Sequence, residues 1–178
     1  MPPEAGAAGR LVFVLGGARS GKSALAERRV GGSGLAPVYI ATGQAFDAEM
    51  TDRIDAHKAR RPAPWRTVEA PLDLVAAIER EAAPETALLV DCLTLWVSNL
   101  MLADHDVDAE ANRLSTCLAA RPPGLVVLVT NEVGLSIVPE NAMARRFRDH
   151  AGRLHQIVAA ACDEAIFVAA GLPLTLKG

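Results

Sequence analysis

Between Leu11 and Val30 the chain reads LVFVLGGARSGKSALAERRV: an apolar, β-rich run, a glycine-rich turn, then a segment of helix-forming composition. Gly16, Gly21, Lys22 and Ser23 satisfy GxxxxGK[ST], the spacing of a phosphate loop set between a strand and a helix. A triphosphate brings several negative charges to one place. Its site therefore needs backbone N–H groups pointing inward, the positive end of a helix, and close approach without an intervening Cβ. Gly16, Gly17 and Gly21 allow that approach. Lys22 is expected to reach the β- and γ-phosphates, and the Ser23 hydroxyl to be one ligand of the Mg²⁺ that bridges them. Only three lysines occur in the whole chain, and Lys22 is one of them. The first expectation is a nucleotide-binding α/β protein.

Composition narrows what surrounds that loop. A chain of 178 residues, 51% hydrophobic and 22% charged, suits one domain with a sizeable core. A net charge of −3 gives no electrostatic footprint for wrapping nucleic acid. Cys92, Cys117 and Cys162 lie far apart in apolar-periodic segments without CxxC spacing, so they read as small buried residues. No apolar run reaches the roughly 18 residues of a membrane span, and Met1 to Arg10 lacks the pattern of a signal peptide. The expected organisation is a loose tail over 1–10 and a single domain over 11–178, in a cytoplasmic protein.

Taken in order, the helix after the phosphate loop runs to Gly31-Gly32, where a left-handed terminator is predicted. PVYIAT at 37–42 reads as a second strand and delivers Thr42 and Gly43 at its C-terminal end, the ligand side of a parallel sheet. From Asp47 the pattern turns helical: Met50, Ile54 and His57 fall on one face, and Pro62 ends the run. Taken alone, His57 fits a packed histidine better than a catalytic one. Lys58, Arg60 and Arg61 crowd the last turn, where complementing the helix dipole is as good an account as ligand binding.

WRTVE at 65–69 alternates as a third strand with Glu69 near its end, and a helix over 71–82 follows with Leu74, Val75 and Ile78 on one face. Thr86 to Val90 is a buried strand ending in Asp91, an acid placed to hold Mg²⁺ beside Ser23. Two helical stripes follow, Leu93, Trp96, Val97, Leu100 and Met101, then Val107, Ala111, Leu114 and Leu118. Both suit a core or a subunit contact, and Trp96 is the residue offered for such a contact. LVVLVT at 125–130 is a fifth strand, followed by a Gly- and Pro-bearing loop from Asn131 to Asn141 with two acids. A long helix over 140–161 is expected to turn Met143, Phe147, Leu154, Val158 and Ala161 inward and Arg145, Arg146, Arg148 and Arg153 outward. Strands at 165–169 and 172–176, joined at Gly171, finish the sheet. The fold expected is a RecA-like P-loop α/β domain: a mostly parallel sheet flanked by helices on both faces, with an antiparallel C-terminal edge.

Several segments together resemble one family: GGARSGKS at 16–23, YIAT at 39–42, DAEMTDRIDAHKARRP at 47–62, WRTVE at 65–69, DCLTLWVSNL at 91–100 and TNEVGLSIVPEN at 130–141. They are similar to the bifunctional adenosylcobinamide kinase and adenosylcobinamide-phosphate guanylyltransferase of cobalamin biosynthesis, from about Leu11 to Leu176. Ser136 stands where a glycine is usual, and Ala56 where some members carry a second histidine. The resemblance implies phosphorylation of adenosylcobinamide by ATP or GTP, then GMP transfer from GTP to adenosylcobinamide phosphate through a guanylylated histidine. By position that histidine is His57. The resemblance also places the nucleotide on Gly16, Gly17, Ala18, Arg19, Ser20, Gly21, Lys22 and Ser23, on Ala41, Thr42 and Gly43, on Lys58, Ala59, Arg60 and Arg61, and on Glu69 and Asp91. It implies a homo-oligomer, a ring of three subunits. Two other classes stay open on sequence: a P-loop small-molecule kinase without guanylyl transfer, and a RecA-type nucleotide-dependent binding module.

Overall fold

The computed structural model describes residues 9–44 and 63–178. The helix expected from Asp47, with His57, Lys58, Ala59, Arg60 and Arg61, lies outside them. So does most of the N-terminal tail.

Strands β1 (Arg10–Gly16), β2 (Ala36–Ala41), β3 (Arg66–Glu69), β4 (Thr86–Asp91), β5 (Leu125–Asn131), β6 (Glu164–Ala169) and β7 (Leu172–Lys177) form one sheet in the order β3-β2-β4-β5-β1-β6-β7. All neighbours are parallel except β6 and β7, as the alternation of strands and helices predicted. Among the described residues the helices are α1 (Lys22–Gly31), α2 (Leu74–Glu81), α3 (Leu93–Leu102), α4 (Val107–Ala119) and α5 (Ala142–Ala161). Side chains alternate across β1. Leu11 and Phe13 join the larger core cluster with residues of α2, α3, α4 and α5, while Val12 and Val14 join a second cluster with Ala26 and Val30 of α1. Because both faces of the central strands are covered, their sequences are continuous apolar runs rather than alternating ones. All three cysteines are free and buried, as their apolar surroundings predicted.

Helix α3 is apolar almost all round, which marks it as an interior helix. Trp96 is 1% exposed and its indole Nε1 donates to the Leu72 carbonyl at 2.8 Å, so the expected subunit contact is instead a core anchor of this chain. Asn99, buried beside it, donates from Nδ2 to the carbonyls of Thr42 (2.6 Å) and Pro71 (3.0 Å). It thereby ties α3 to the chain leaving β2 and β3. Leaving either buried carbonyl without a donor would cost about 1–3 kcal/mol.

Two further expectations are corrected. Helix α1 is capped by Gly32 at φ −88°, and the left-handed residue of that turn is Gly34 at φ 77°. The cap N–H is already satisfied by Arg28 and Val30 carbonyls, so the reversal falls two residues later. Met143 is 51% exposed because α5 starts at Ala142, with Asn141 capping the N–H groups of Met143 and Ala144, before the helix reaches the sheet. Between β6 and β7, Ala170 (φ 52°) and Gly171 (φ 77°) are both left-handed, the geometry of a tight two-residue hairpin turn.

Candidate functional site

Every described residue expected at the site lies at or near the C-terminal edge of the sheet. β1 stops at Gly16, the loop turns over Gly17 to Ser20, and α1 begins at Lys22. A Cβ on Gly16 would fall 2.5 Å from the Val168 carbonyl oxygen and 2.6 Å from Ser20 Oγ, so no larger residue fits without movement of β6. Gly21 holds φ 96°, where L side chains are strained. The hairpin turn supports the loop from outside: Gly171 N donates to the Ser20 carbonyl at 2.7 Å, and a Cβ on Gly21 would lie 3.1 Å from Gly171 Cα. The first N–H groups of α1 have no helical acceptor and face the loop, which is what an anion requires.

Lys22 is 8% exposed and its Nζ donates to the Gly17 carbonyl at 3.1 Å. Burial lowers its pKa from the ordinary lysine value, and the nearby Asp91 carboxylate works in the opposite direction. Ser23 is half-buried, and Ala18 and Arg19 are exposed.

Asp91 sits across the sheet from Ala41, which sits across from Glu69, so three residues expected at the site form one row on β4, β2 and β3. Tyr39 from β2 donates its hydroxyl to Asp91 Oδ2 at 3.1 Å. Thr42 is fully buried. Its hydroxyl donates to the Cys92 carbonyl (2.7 Å) and accepts from Cys92 N (2.8 Å), locking the start of the next loop against Asp91. Gly43 follows, half-buried, with Leu95 as its nearest side-chain neighbour.

The sheet order puts β5 between β1 and β4, so the end of β5 opens between the phosphate loop and Asp91. Asn131 donates from its backbone N (3.4 Å) and Nδ2 (3.2 Å) to Thr94 Oγ1, and Glu132 N donates to the Gly16 carbonyl at 2.9 Å. Thr94 Oγ1 also lies 3.2 Å from Cys92 Sγ. The Cys92 thiol is pushed up to about 11, chiefly by burial and then by Asp91. Behind Asn131, Thr130 Oγ1 meets His155 Nε2 at 2.8 Å. Burial holds the His155 pKa below the ordinary value, with the Glu132 carboxylate opposing. Ser136 keeps a negative φ, so the position needs no glycine. The sequence marks the Asn131–Asn141 loop, with its two acids and Asn131 at the strand end, as a ligand-binding loop but assigns no individual role to Tyr39, Thr94 or Glu132. The usable signal was that Asn131 and Glu132 follow a buried strand as closely as Asp91 does.

A phosphate loop on one strand, and an acid on a second strand separated from it by a third, define a P-loop protein of RecA-like architecture. The solved structure of the RadB recombinase superposes with a TM-score of 0.52 at 16% identity, over 90% of this chain and 74% of that one, a likeness of fold. Within that class the chain belongs to the cobinamide kinase / cobinamide phosphate guanyltransferase family, which it matches over residues 12–176. It is 54% identical over 168 residues to the bifunctional adenosylcobalamin biosynthesis protein CobP of Pseudomonas aeruginosa, covering 93% of this chain and 96% of that protein. It is 44% identical over 181 residues to the bifunctional adenosylcobalamin biosynthesis protein CobU of Salmonella typhimurium, covering 94% and 99%.

Proposed function

We infer that this protein is the bifunctional enzyme that phosphorylates adenosylcobinamide and then guanylylates the product. In the first reaction a hydroxyl oxygen of adenosylcobinamide attacks the γ-phosphorus of ATP or GTP and a nucleoside diphosphate departs. In the second, His57 attacks the α-phosphorus of GTP and releases pyrophosphate. The phosphate of adenosylcobinamide phosphate then takes the GMP, giving adenosylcobinamide-GDP and free histidine. The observation that carries this reading is the joining of a buried Lys22, electrostatically coupled to Asp91, to a chain that belongs to this family over nearly its whole length. Gly16 to Ser23 would cradle the triphosphate, and Ala41, Gly43, Glu69 and the segment Lys58 to Arg61 would hold the rest of the nucleotide. Incubation with α-labelled GTP tests it directly: the protein should retain GMP covalently and pass it to adenosylcobinamide phosphate. Absence of any adduct would leave only a kinase or a binding module.

The Ser23 hydroxyl and the Asp91 carboxylate are hard oxygen donors suited to Mg²⁺, and Tyr39 orients one carboxylate oxygen. Held there, the ion would supply positive charge to offset that of the triphosphate. Asp91→Asn keeps the shape and removes the charge, so activity should fall and half-maximal activity should need more Mg²⁺. An unchanged Mg²⁺ titration would assign Asp91 to structure alone.

The enzyme is read as cytoplasmic. Among the described residues no helix is long and apolar enough to cross a membrane. It is also read as a homo-oligomer, a trimer by family resemblance. Edge strand β7 supports this: Leu172, Leu174 and Leu176, alternate residues on one face, are 71%, 60% and 58% exposed, a row that a second copy would cover. Light scattering at micromolar concentration should give a multiple of 18.7 kDa, and Leu174→Lys should shift it toward the monomer. A monomeric unmutated protein would refute it.

A further inference from the structure

We propose that Glu132 is the general base of the phosphoryl-transfer reaction, accepting the proton of the adenosylcobinamide hydroxyl as that oxygen attacks the γ-phosphorus. The assignment rests on the function inferred above and adds a residue to it. An alcohol is a poor nucleophile until its proton has somewhere to go, and a positioned carboxylate supplies that. Three carboxylates stand on the last residue of a described strand or directly after it, at the C-terminal edge of the sheet. Glu69 is on β3, at the far edge of the sheet from the phosphate loop. Asp91 faces Lys22 and has the donor type the metal needs. The residue immediately after it is Cys92, a thiol with 4% exposure that is engaged with Thr94. Glu132 remains.

Its placement is built rather than incidental. β5 lies next to β1, Asn131 pairs with Gly16 in register, and the Glu132 N–H is bonded to the Gly16 carbonyl, so the residue is stitched to the first residue of the phosphate loop. From the other side Asn131 fastens the same strand end to Thr94 through both its backbone and its side chain. Glu132 is half-buried, and its Oε1 accepts from Gly134 N, which fixes the orientation of the carboxylate. The step balances. The hydroxyl oxygen forms a bond to the γ-phosphorus while the bond from that phosphorus to the β–γ bridging oxygen breaks. The electron pair leaves with the nucleoside diphosphate, and the proton passes to Glu132 and then to solvent. Guanylyl transfer has no such need. Its acceptor is a phosphate monoester, whose second pKa is about 6, so the attacking oxygen is already anionic.

The test is Glu132→Gln in the full chain, with each half-reaction assayed separately. Phosphorylation of adenosylcobinamide, followed with γ-labelled GTP, should fall by about 10²–10⁴-fold. Formation of the GMP adduct from α-labelled GTP, and its transfer to preformed adenosylcobinamide phosphate, should stay within about twofold of the unmutated protein. Glu132→Asp should restore part of the kinase rate, since it keeps the carboxylate at a shorter reach. Kinase activity of Glu132→Gln within about threefold of normal would overturn the assignment. So would an equal fall in both half-reactions, which would make Glu132 a support of the shared loop. An unmutated protein that forms the adduct but never phosphorylates adenosylcobinamide would instead refute the kinase half of the function itself, and this assignment with it.

Discussion

Lys22→Ala should reduce both half-reactions by about 10²-fold or more, the scale expected when one preorganised positive donor is removed from a developing phosphate charge. Both reactions begin from a triphosphate, and among the described residues there is one phosphate loop to hold it. The lysine is not an interchangeable surface charge. It is 8% exposed, anchored on the Gly17 carbonyl and set against Asp91, so its ammonium is partly desolvated and held in place before any ligand arrives. A group already ordered and dehydrated loses little on binding phosphate, which is why its removal is costly in the transition state and mild for the fold. The variant should therefore melt within a few degrees of the unmutated protein while both activities fall together. Near-normal guanylyl transfer by folded Lys22→Ala would mean that the two reactions hold their nucleotides in different places.

What could be read from the chain beforehand divides along physical lines. Elements whose identity follows from local pattern were legible: the buried parallel strands as continuous apolar runs, the phosphate loop from its glycines, and the Leu74, Val75 and Ile78 face of α2. Periodicity states which residues share a face but not what that face meets. Trp96 illustrates this, since the same stripe that suggested a subunit contact closes over the core of its own chain. Strand order was also invisible, because nothing local in LVVLVT says that β5 inserts between β1 and β4. That insertion is what brings Asn131 and Glu132 to the phosphate loop, and it required the whole sheet. The same holds for Gly171, read as a simple hairpin joint, which turns out to brace Ser20 and Gly21. Tyr39 read as one more apolar strand residue, yet its hydroxyl reaches Asp91 across the sheet.

His57→Ala should separate the two reactions. Attack at the α-phosphorus and attack at the γ-phosphorus occur at different atoms, and in the mechanism proposed above only the first uses a protein nucleophile. A neutral imidazole can displace pyrophosphate from GTP, and the phosphoramidate formed is reactive enough to hand GMP to the acceptor phosphate. The expected helix from Asp47 sets His57 on the Met50 and Ile54 side, and the basic run Lys58, Arg60 and Arg61 that follows would offset the charge of the departing pyrophosphate. Removing the ring should therefore lower GMP transfer by about 10³-fold or more and abolish the adduct, with phosphorylation of adenosylcobinamide retained. On the unmutated protein the adduct should be labile to acid and stable to alkali, as a phosphoramidate is and an ester is not. The structure makes two of the other histidines poor substitutes. His155 is buried with Nε2 against Thr130, and His150 has Nδ1 set against Asp108 of α4. His105 is exposed just beyond the end of α3, away from the edge where the phosphate loop opens. Labelled GMP persisting on His57→Ala, or an adduct mapped to His105, His150, His155 or a lysine, would remove His57 from the mechanism and leave the kinase half standing on Lys22 and Asp91.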